Sequence, residues 1–261
     1  MITSYKNPGI KLVRGLLDAK KHRESAGLMV LEGVRLAEEA ISHKIKLKQC
    51  YFSANLSTRG KALLDQVTEQ KTKIDELSQD LMDRLSDTQH AQGILLVCTI
   101  PELPFHENPS FLLTLDRIND PGNMGTILRT AAAMNVDGIL LTPGTTDPFS
   151  PKTLRAAMGA QLHLPIQWQD AKGIKKLCTS NQVPLVLVST IMDCSRDCWS
   201  ADLTAPICLV IGNEANGISR ELLALCDRCV RIPIAENTES LNAAIATAIL
   251  MYEITRQRKK K

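Results

Sequence analysis

Leu113-Thr114-Leu115-Asp116-Arg117-Ile118-Asn119-Asp120-Pro121-Gly122-Asn123-Met124-Gly125-Thr126-Ile127-Leu128-Arg129 is the stretch on which the fold is decided. It leaves an apolar run, Phe111 to Leu115, that shows no in–out alternation and so reads as a strand buried on both faces. A glycine-bearing turn follows, then a helix over Met124 to Met134, then a second short apolar strand, Gly138 to Leu141. Strand, turn, helix, strand is the repeating unit of a parallel sheet, because parallel neighbours need a crossover connection.

The alternation continues downstream. Pro151 introduces a helix over Lys152 to Ala160, and Leu164 to Trp168, Leu185 to Ser189 and Ile207 to Ile211 read as strands. A helix over Lys172 to Thr179 lies between the first two. Ser219 opens a helix through Leu225, Cys229 to Ile234 is a strand, and Ser240 to Gln257 a long last helix. The expected class is α/β, with a parallel sheet covered on both faces.

Upstream, the first hundred residues read as a smaller α/β unit. A helical pattern opens at Asn7-Pro8, runs through Leu12, Leu16 and Leu17, and fades near Ser25-Ala26-Gly27. Strands are expected at Leu28 to Leu31, Leu47 to Phe52 and Gly93 to Thr99, with helices at Val34 to Ser42, Ser57 to Glu69 and Gln79 to Leu85. Pro101, Pro104 and Pro109 fall in Ile100 to Ser110, which lacks periodicity. The domain division is therefore 1–100, a linker 101–110, and 111–261.

With 44% hydrophobic residues the 261-residue chain has the material for a core without staples. No apolar run reaches bilayer-spanning length, and Met1 to Pro8 is not a secretory signal, so a soluble cytoplasmic protein is expected. Of the eight cysteines, Cys194, Cys198, Cys226 and Cys229 could be written as a zinc site. Cys50, Cys98, Cys178 and Cys208 sit in or beside apolar runs. The preferred reading is reduced, structural thiols and no metal.

Charge is uneven. Met1 to Lys48 holds ten basic residues against five acids, and Arg256, Arg258, Lys259, Lys260 and Lys261 form a second cluster. Both suit a polyanion, because lysine and arginine release condensed counterions from phosphates, and both also suit plain solvated helix faces. Aromatic residues make up only 3%, which argues against a base-stacking surface.

In a parallel sheet, ligands bind where the carboxyl ends of strands meet helix N-termini. Three loops stand there. In Asp116 to Arg129, Gly122 and Gly125 allow close backbone approach, and Arg129 lies one turn beyond Gly125, where a guanidinium could hold a phosphate bidentately. An ordinary strand-to-helix turn would look much the same. The second loop, Gly212-Asn213-Glu214-Ala215-Asn216-Gly217-Ile218-Ser219, offers a glycine, an amide and a carboxylate after a buried strand. The third runs from Ile232-Pro233-Ile234 to Glu239-Ser240-Leu241-Asn242. There Ser240 reads as a helix N-cap, which leaves Asn242 inside the helix, where asparagine is a mediocre former.

Together these loops resemble the three signature motifs of the SpoU (TrmH-type) RNA ribose methyltransferases of the knotted SPOUT class. The matching residues are Asn123-x-Gly125-x-x-x-Arg129, then Ile211-Gly212-Asn213-Glu214 with Gly217, then Ile232-Pro233 with Ser240-Leu241-Asn242. Ser150-Pro151-Lys152 to Arg155-Ala156-Ala157-Met158-Gly159-Ala160 is family-like too, with Ala157 where many relatives have serine. Leu31-Glu32-Gly33-Val34-Arg35 resembles the L30e-like substrate-binding domain often fused to this catalytic domain.

The resemblance implies a trefoil knot near the C-terminus, a homodimer, and S-adenosylmethionine held in a bent form. Its cofactor residues would be Ser189, Thr190, Ile211, Gly212, Asn213, Gly217, Ile232, Ile234 and Leu241. Its catalytic residues would be Asn123, Arg129, Glu214, Ser240 and Asn242, with Arg129 serving the partner subunit's site. Guanidinium stays protonated in proteins, so we read Arg129 as an electrostatic partner of phosphate and developing oxyanion in place of a general base. Asn123 and Glu214 would orient it, and Ser240 and Asn242 would position the ribose or relay its proton. Arg14, Arg23 and Arg35 are the expected RNA contacts. The implied partner is RNA, ribosomal RNA of the large (23S) subunit before transfer RNA, with no DNA and no membrane. Two other readings stand beside it: a non-catalytic ribosome-assembly factor of the same fold, and a nucleotide-dependent reductase. The latter lacks a G-x-G-x-x-G fingerprint.

Overall fold

The computed structural model describes residues 1–86, 91–180, 184–235 and 237–259. It falls into two compact units, Met1–Pro101 with Asp147–His163, and Glu102–Thr146 with Leu164–Lys261. Lys260 and Lys261 of the basic tail lie outside the described residues. Among the described residues, no helix is long and apolar enough to cross a membrane.

The first unit begins with α1 (Pro8–Asp18), capped by the Asn7 side chain, which accepts from the amides of Gly9 and Ile10. The expected single helix is broken: Ala19 is extended, and α2 (Lys20–Ala26) starts afresh and ends at Gly27, whose φ of 62° is left-handed. There follow β1 (Leu28–Glu32), α3 (Val34–Ser42), β2 (Leu47–Phe52), α4 (Thr58–Glu69), β3 (Lys73–Glu76), α5 (Gln79–Leu85) and β4 (Ile94–Thr99). The sheet order is β1-β4-β2-β3, with only β2 and β3 parallel. Sequence reading misses β3, because a charged, half-buried edge strand has no apolar pattern and owes its shape to its ladder with β2.

Helix α7 (Pro151–Ala157) and a 3-10 turn, Ala160–Leu162, also belong to this unit. The sequence reading assigns them to the C-terminal domain. Leu154 and Leu162 instead pack in one buried cluster with Met29, Leu31, Leu36 and Leu96. The helix stops at Met158, which is left-handed at φ 55°.

The second unit is built on β5 (Phe111–Leu115), α6 (Pro121–Ala133), β6 (Gly138–Leu141), β7 (Ile166–Trp168), α8 (Ala171–Ser180), β8 (Val186–Thr190), β9 (Ile207–Ile211), α9 (Arg220–Leu223), β10 (Arg228–Val230) and α10 (Ala243–Lys259). Its sheet has the order β10-β8-β9-β5-β6-β7, with every pair parallel. Strands β5 and β9 are buried at every position, as central parallel strands should be. Register aligns Leu115 with Ile211 and Thr190 with Val230, which brings the loops after β5, β9, β8 and β10 to one edge.

Candidate cofactor and active site

A cavity of about 390 Å³ opens at that edge. Thr190, Ile191 and Met192 wall it after β8, Ile211 to Ala215 with Gly217 after β9, and Val230 to Ile232 with Ile234 after β10. Ser240, Leu241, Ala243, Ala246 and Leu250 close it from the start of α10. Small-molecule sites typically span roughly 300–1,000 Å³ and mix an apolar lining with a few polar groups, as this one does.

Eight of the nine cofactor residues expected from sequence line the cavity: Thr190, Ile211, Gly212, Asn213, Gly217, Ile232, Ile234 and Leu241. Ser189 does not. Its side chain is buried, and its hydroxyl donates to the carbonyl of Arg228 at 3.2 Å, tying β8 to β10. Thr190 spends its hydroxyl on the carbonyl of Val210 at 3.0 Å.

The loop after β9 folds back on itself. Asn213 and Gly217 exchange two backbone hydrogen bonds, at 3.0 and 2.9 Å, and Gly217 sits at φ 63°. Asn213 Oδ1 accepts from the amides of Ala215 and Asn216, while its Nδ2 donates to the carbonyl of Arg117 at 2.8 Å. Gly212 is required by close approach: a Cβ there would overlap the backbone of Gly217 and Ile218. This is a cradle that only a glycine leaves open, and it fits a ligand held by main-chain groups.

The catalytic residues expected from sequence divide. Glu214 and Ser240 line the cavity. Asn123 and Asn242 reach Glu214 through a chain of amides. Asn242 Nδ2 donates to Asn123 Oδ1 at 2.9 Å, and Asn123 Nδ2 donates to Glu214 Oε1 at 2.9 Å. Every amide in the chain is oriented by chemistry. A carboxylate only accepts, so Asn123 must turn its NH₂ toward Glu214 and its oxygen toward Asn242. Asn242 Oδ1 accepts from the amides of Ala244 at 2.9 Å and Ile245 at 3.2 Å. Asn242 is therefore the N-cap of α10, and the expected capping role of Ser240 is corrected: the helix begins three residues later than the sequence pattern suggests. Arg129 is exposed on α6, outside the cavity of its own chain, with no hydrogen bond or ion pair among the described residues.

Sequence reasoning passed over Asp116. It is buried, accepts from Thr142 Oγ1 at 2.8 Å and the Ser219 amide at 2.6 Å, and stands 3.6 Å from the Arg117 guanidinium. It pins the loops after β5 and β9 together. A polar residue directly after an apolar strand was its only sequence signal.

Two further expectations are corrected. Cys194 and Cys229 form a disulfide with Cα atoms 5.9 Å apart, joining the loop after β8 to β10. The other six thiols are free, and all but half-buried Cys226 are buried. Burial pushes the Cys226 thiol up to about 11 and that of Cys50 to about 12. Among the described residues, no group of three or more His, Cys, Asp or Glu is placed to hold a metal. Arg23, expected to touch RNA, is only 4% exposed, donates to the carbonyls of Leu16 and Leu17, and pairs with Asp147 Oδ2 at 2.7 Å. It is a structural cation of the first unit. Arg14 and Arg35 are exposed.

A parallel α/β sheet with this edge cavity is the architecture of a SPOUT-class methyltransferase. Residues 110–252 match the SpoU rRNA Methylase family, and residues 7–96 match the MRM3-like substrate binding domain. The 23S rRNA (guanosine(2553)-2′-O)-methyltransferase RlmP of Bacillus subtilis is 30% identical over 97% of this chain and 98% of its own. The 23S rRNA (uridine(2479)-2′-O)-methyltransferase of Streptomyces viridochromogenes is 31% identical over 98% and 92%. An AdoMet-bound rRNA methyltransferase from Sinorhizobium meliloti superposes with a TM-score of 0.87 at 30% identity, covering 98% of this chain and 97% of that one. The chain belongs to the SpoU rRNA methylase family.

Proposed function

We propose that this protein transfers the methyl group of S-adenosylmethionine to a ribose 2′-hydroxyl of 23S ribosomal RNA, acting as a homodimer in the cytoplasm. The observation that carries the reading is the edge cavity joined through Glu214 to the oriented Asn123–Asn242 pair. The relatives' named reactions supply the substrate class, and their two different target bases leave the nucleotide open.

The cofactor supplies an electrophilic methyl on a sulfonium. Gly212, Asn213 and Gly217 would meet its polar groups through main-chain atoms, and Ile211, Ile232, Ile234 and Leu241 would cover its apolar faces. The protein must orient a weakly acidic hydroxyl and stabilise the negative charge that develops on it. Ser240 and Asn242 stand at the N-terminal end of α10 to position the ribose. Arg129 is the cation for the phosphate and the developing oxyanion.

Dimerisation is what brings Arg129 to a site. It sits beside a shallow apolar groove lined by Thr130 and Met134 of α6, Ile249 and Tyr252 of α10, and Trp199. Trp199 and Tyr252 are 64% and 62% exposed in the single chain. Exposed large apolar side chains grouped in this way suit an interaction face, and a two-fold dimer formed through it would carry Arg129 to the partner's cavity.

The test is Arg129→Ala and Arg129→Lys. Alanine is expected to abolish turnover with unchanged cofactor affinity in calorimetry, and lysine to restore little, because a point charge does not replace a bidentate fork. Wild-type turnover and pH profile in the lysine variant would contradict the guanidinium role.

A further inference from the structure

Within the first unit, two adjoining cavities collect cations that the methyl-transfer site does not use. The first, of about 490 Å³, is walled by Tyr5, Arg14, Asp18, Arg84, Ser86 and Lys152. The Arg14 and Arg84 guanidinium carbons lie 5.1 and 5.9 Å from the centroid of the Tyr5 ring, so one ring braces both. Arg84 gives its Nε to Asp80 Oδ1 at 3.1 Å, and its Nη groups have no acceptor among the described residues. Among the described residues, neither Arg14 nor Lys152 makes a hydrogen bond or ion pair. Among the described residues, three cations thus face one cavity against a single lining carboxylate, Asp18, and two of them are held in place by an aromatic ring.

The second cavity, of about 240 Å³, is walled by Glu32, Gly33, Arg35, Gln92, Arg155 and Met158. Arg155 is steadied by Glu32, whose Oε2 is 3.6 Å from its Nη1. Gly33 is left-handed at φ 97°, and Gln92 Oε1 accepts from the Val34 amide at 2.9 Å, so this floor is fixed by hydrogen bonding. The cavities share a partition: Ser86 of the first donates its hydroxyl to Glu32 of the second. Helix α7 serves both, with Lys152 toward one and Arg155, three residues on, toward the other.

We infer that these cavities form a phosphodiester-binding track that grips consecutive backbone phosphates of the RNA substrate, with Arg14, Arg84 and Lys152 at one phosphate and Arg35 and Arg155 at the next. The inference rests on the RNA-methylating reading above. Clustered, braced guanidiniums, with the Arg84 Nη groups lacking an acceptor among the described residues, match phosphate oxygens bidentately. The Tyr5 ring is engaged by arginine, so the track takes the backbone without reading bases, and it sets register independently of sequence. Phosphate contacts of this kind release counterions, which gives the test its readout.

The experiment measures binding and methylation of a 23S rRNA transcript across a salt series for wild type and for Arg14→Gln/Arg84→Gln/Lys152→Gln. A charge-matched control removes three exposed lysines elsewhere on the unit, Lys48→Gln/Lys61→Gln/Lys71→Gln. The cluster variant is expected to bind RNA at least tenfold more weakly at low salt. The slope of log affinity against log salt should shrink by roughly 0.7–0.9, because the three cations serve one phosphate and each lost phosphate contact removes about that much. Its KM for RNA should rise, with kcat at saturating RNA and S-adenosylmethionine affinity unchanged. The single Lys152→Glu variant, which leaves the Tyr5 stack intact, should show the same trend and guards against misfolding of the triple variant. Equal losses in cluster and control variants, or an unchanged slope in both cluster variants while wild type methylates RNA, would overturn the track and leave the functional reading standing. Tighter binding of polyglutamate than of RNA at this cluster would reassign it to an acidic protein partner and overturn the RNA assignment. A wild-type chain that binds no RNA would overturn both readings.

Discussion

Asn242 serves two masters through the two ends of one amide: its oxygen caps α10, and its nitrogen holds Asn123. The functions separate by substitution. Asn242→Asp keeps an acceptor for the helix amides and loses the donor, so we expect near wild-type thermal stability with methyl transfer reduced roughly 10- to 100-fold, the scale of a lost hydrogen bond to an ordered network. Asn242→Ala should lose transfer and about 1 kcal/mol of stability together. Equal stability of the two variants in denaturant unfolding would refute the capping role. Gly212→Ala, which forces a methyl into the backbone of Gly217 and Ile218, should cost roughly 1–3 kcal/mol and most of the cofactor affinity, read by calorimetry with S-adenosylmethionine. Residues of the three loops were legible in sequence because their types sit at fixed offsets from strand ends. Asp116 and Arg23 were not. Their partners, Ser219 and Asp147, lie 103 and 124 residues away, and composition does not say whether a charge is buried.

At the scale of elements, most strands and helices could be read from apolar period and capping residues, and the exceptions have physical causes. Strand β3 is specified by pairing, the α1–α2 break by the extended backbone at Ala19, and α7 by a core assembled from residues between Met29 and Cys98, far earlier in the chain. Arg23 and Asp147 sit in the same first unit as α7. Arg23→Ala should therefore destabilise by about 3 kcal/mol, since it removes a buried cation and takes it from the half-buried Asp147 carboxylate, while cofactor affinity is retained. The Cys194–Cys229 disulfide makes a separate claim about β10. Titration of thiols in denatured protein should find six without reductant and eight with it. Eight in both conditions would restore the reduced reading that the sequence supports.

For the whole molecule, the apolar face around Trp199, Ile249 and Tyr252 and the exposed Arg129 support the proposal that two chains together complete the site. Ile249→Glu/Tyr252→Asp should sediment as a monomer and lose methyl transfer. A monomer with full activity would place Arg129 outside the chemistry. The proposed reaction is tested by transfer of labelled methyl from S-adenosylmethionine to ribosomal RNA lacking the modification, followed by nucleoside analysis. The expected result is label in a single 2′-O-methylated nucleoside of 23S rRNA. Label on a base, or no label despite measured cofactor binding, would contradict it.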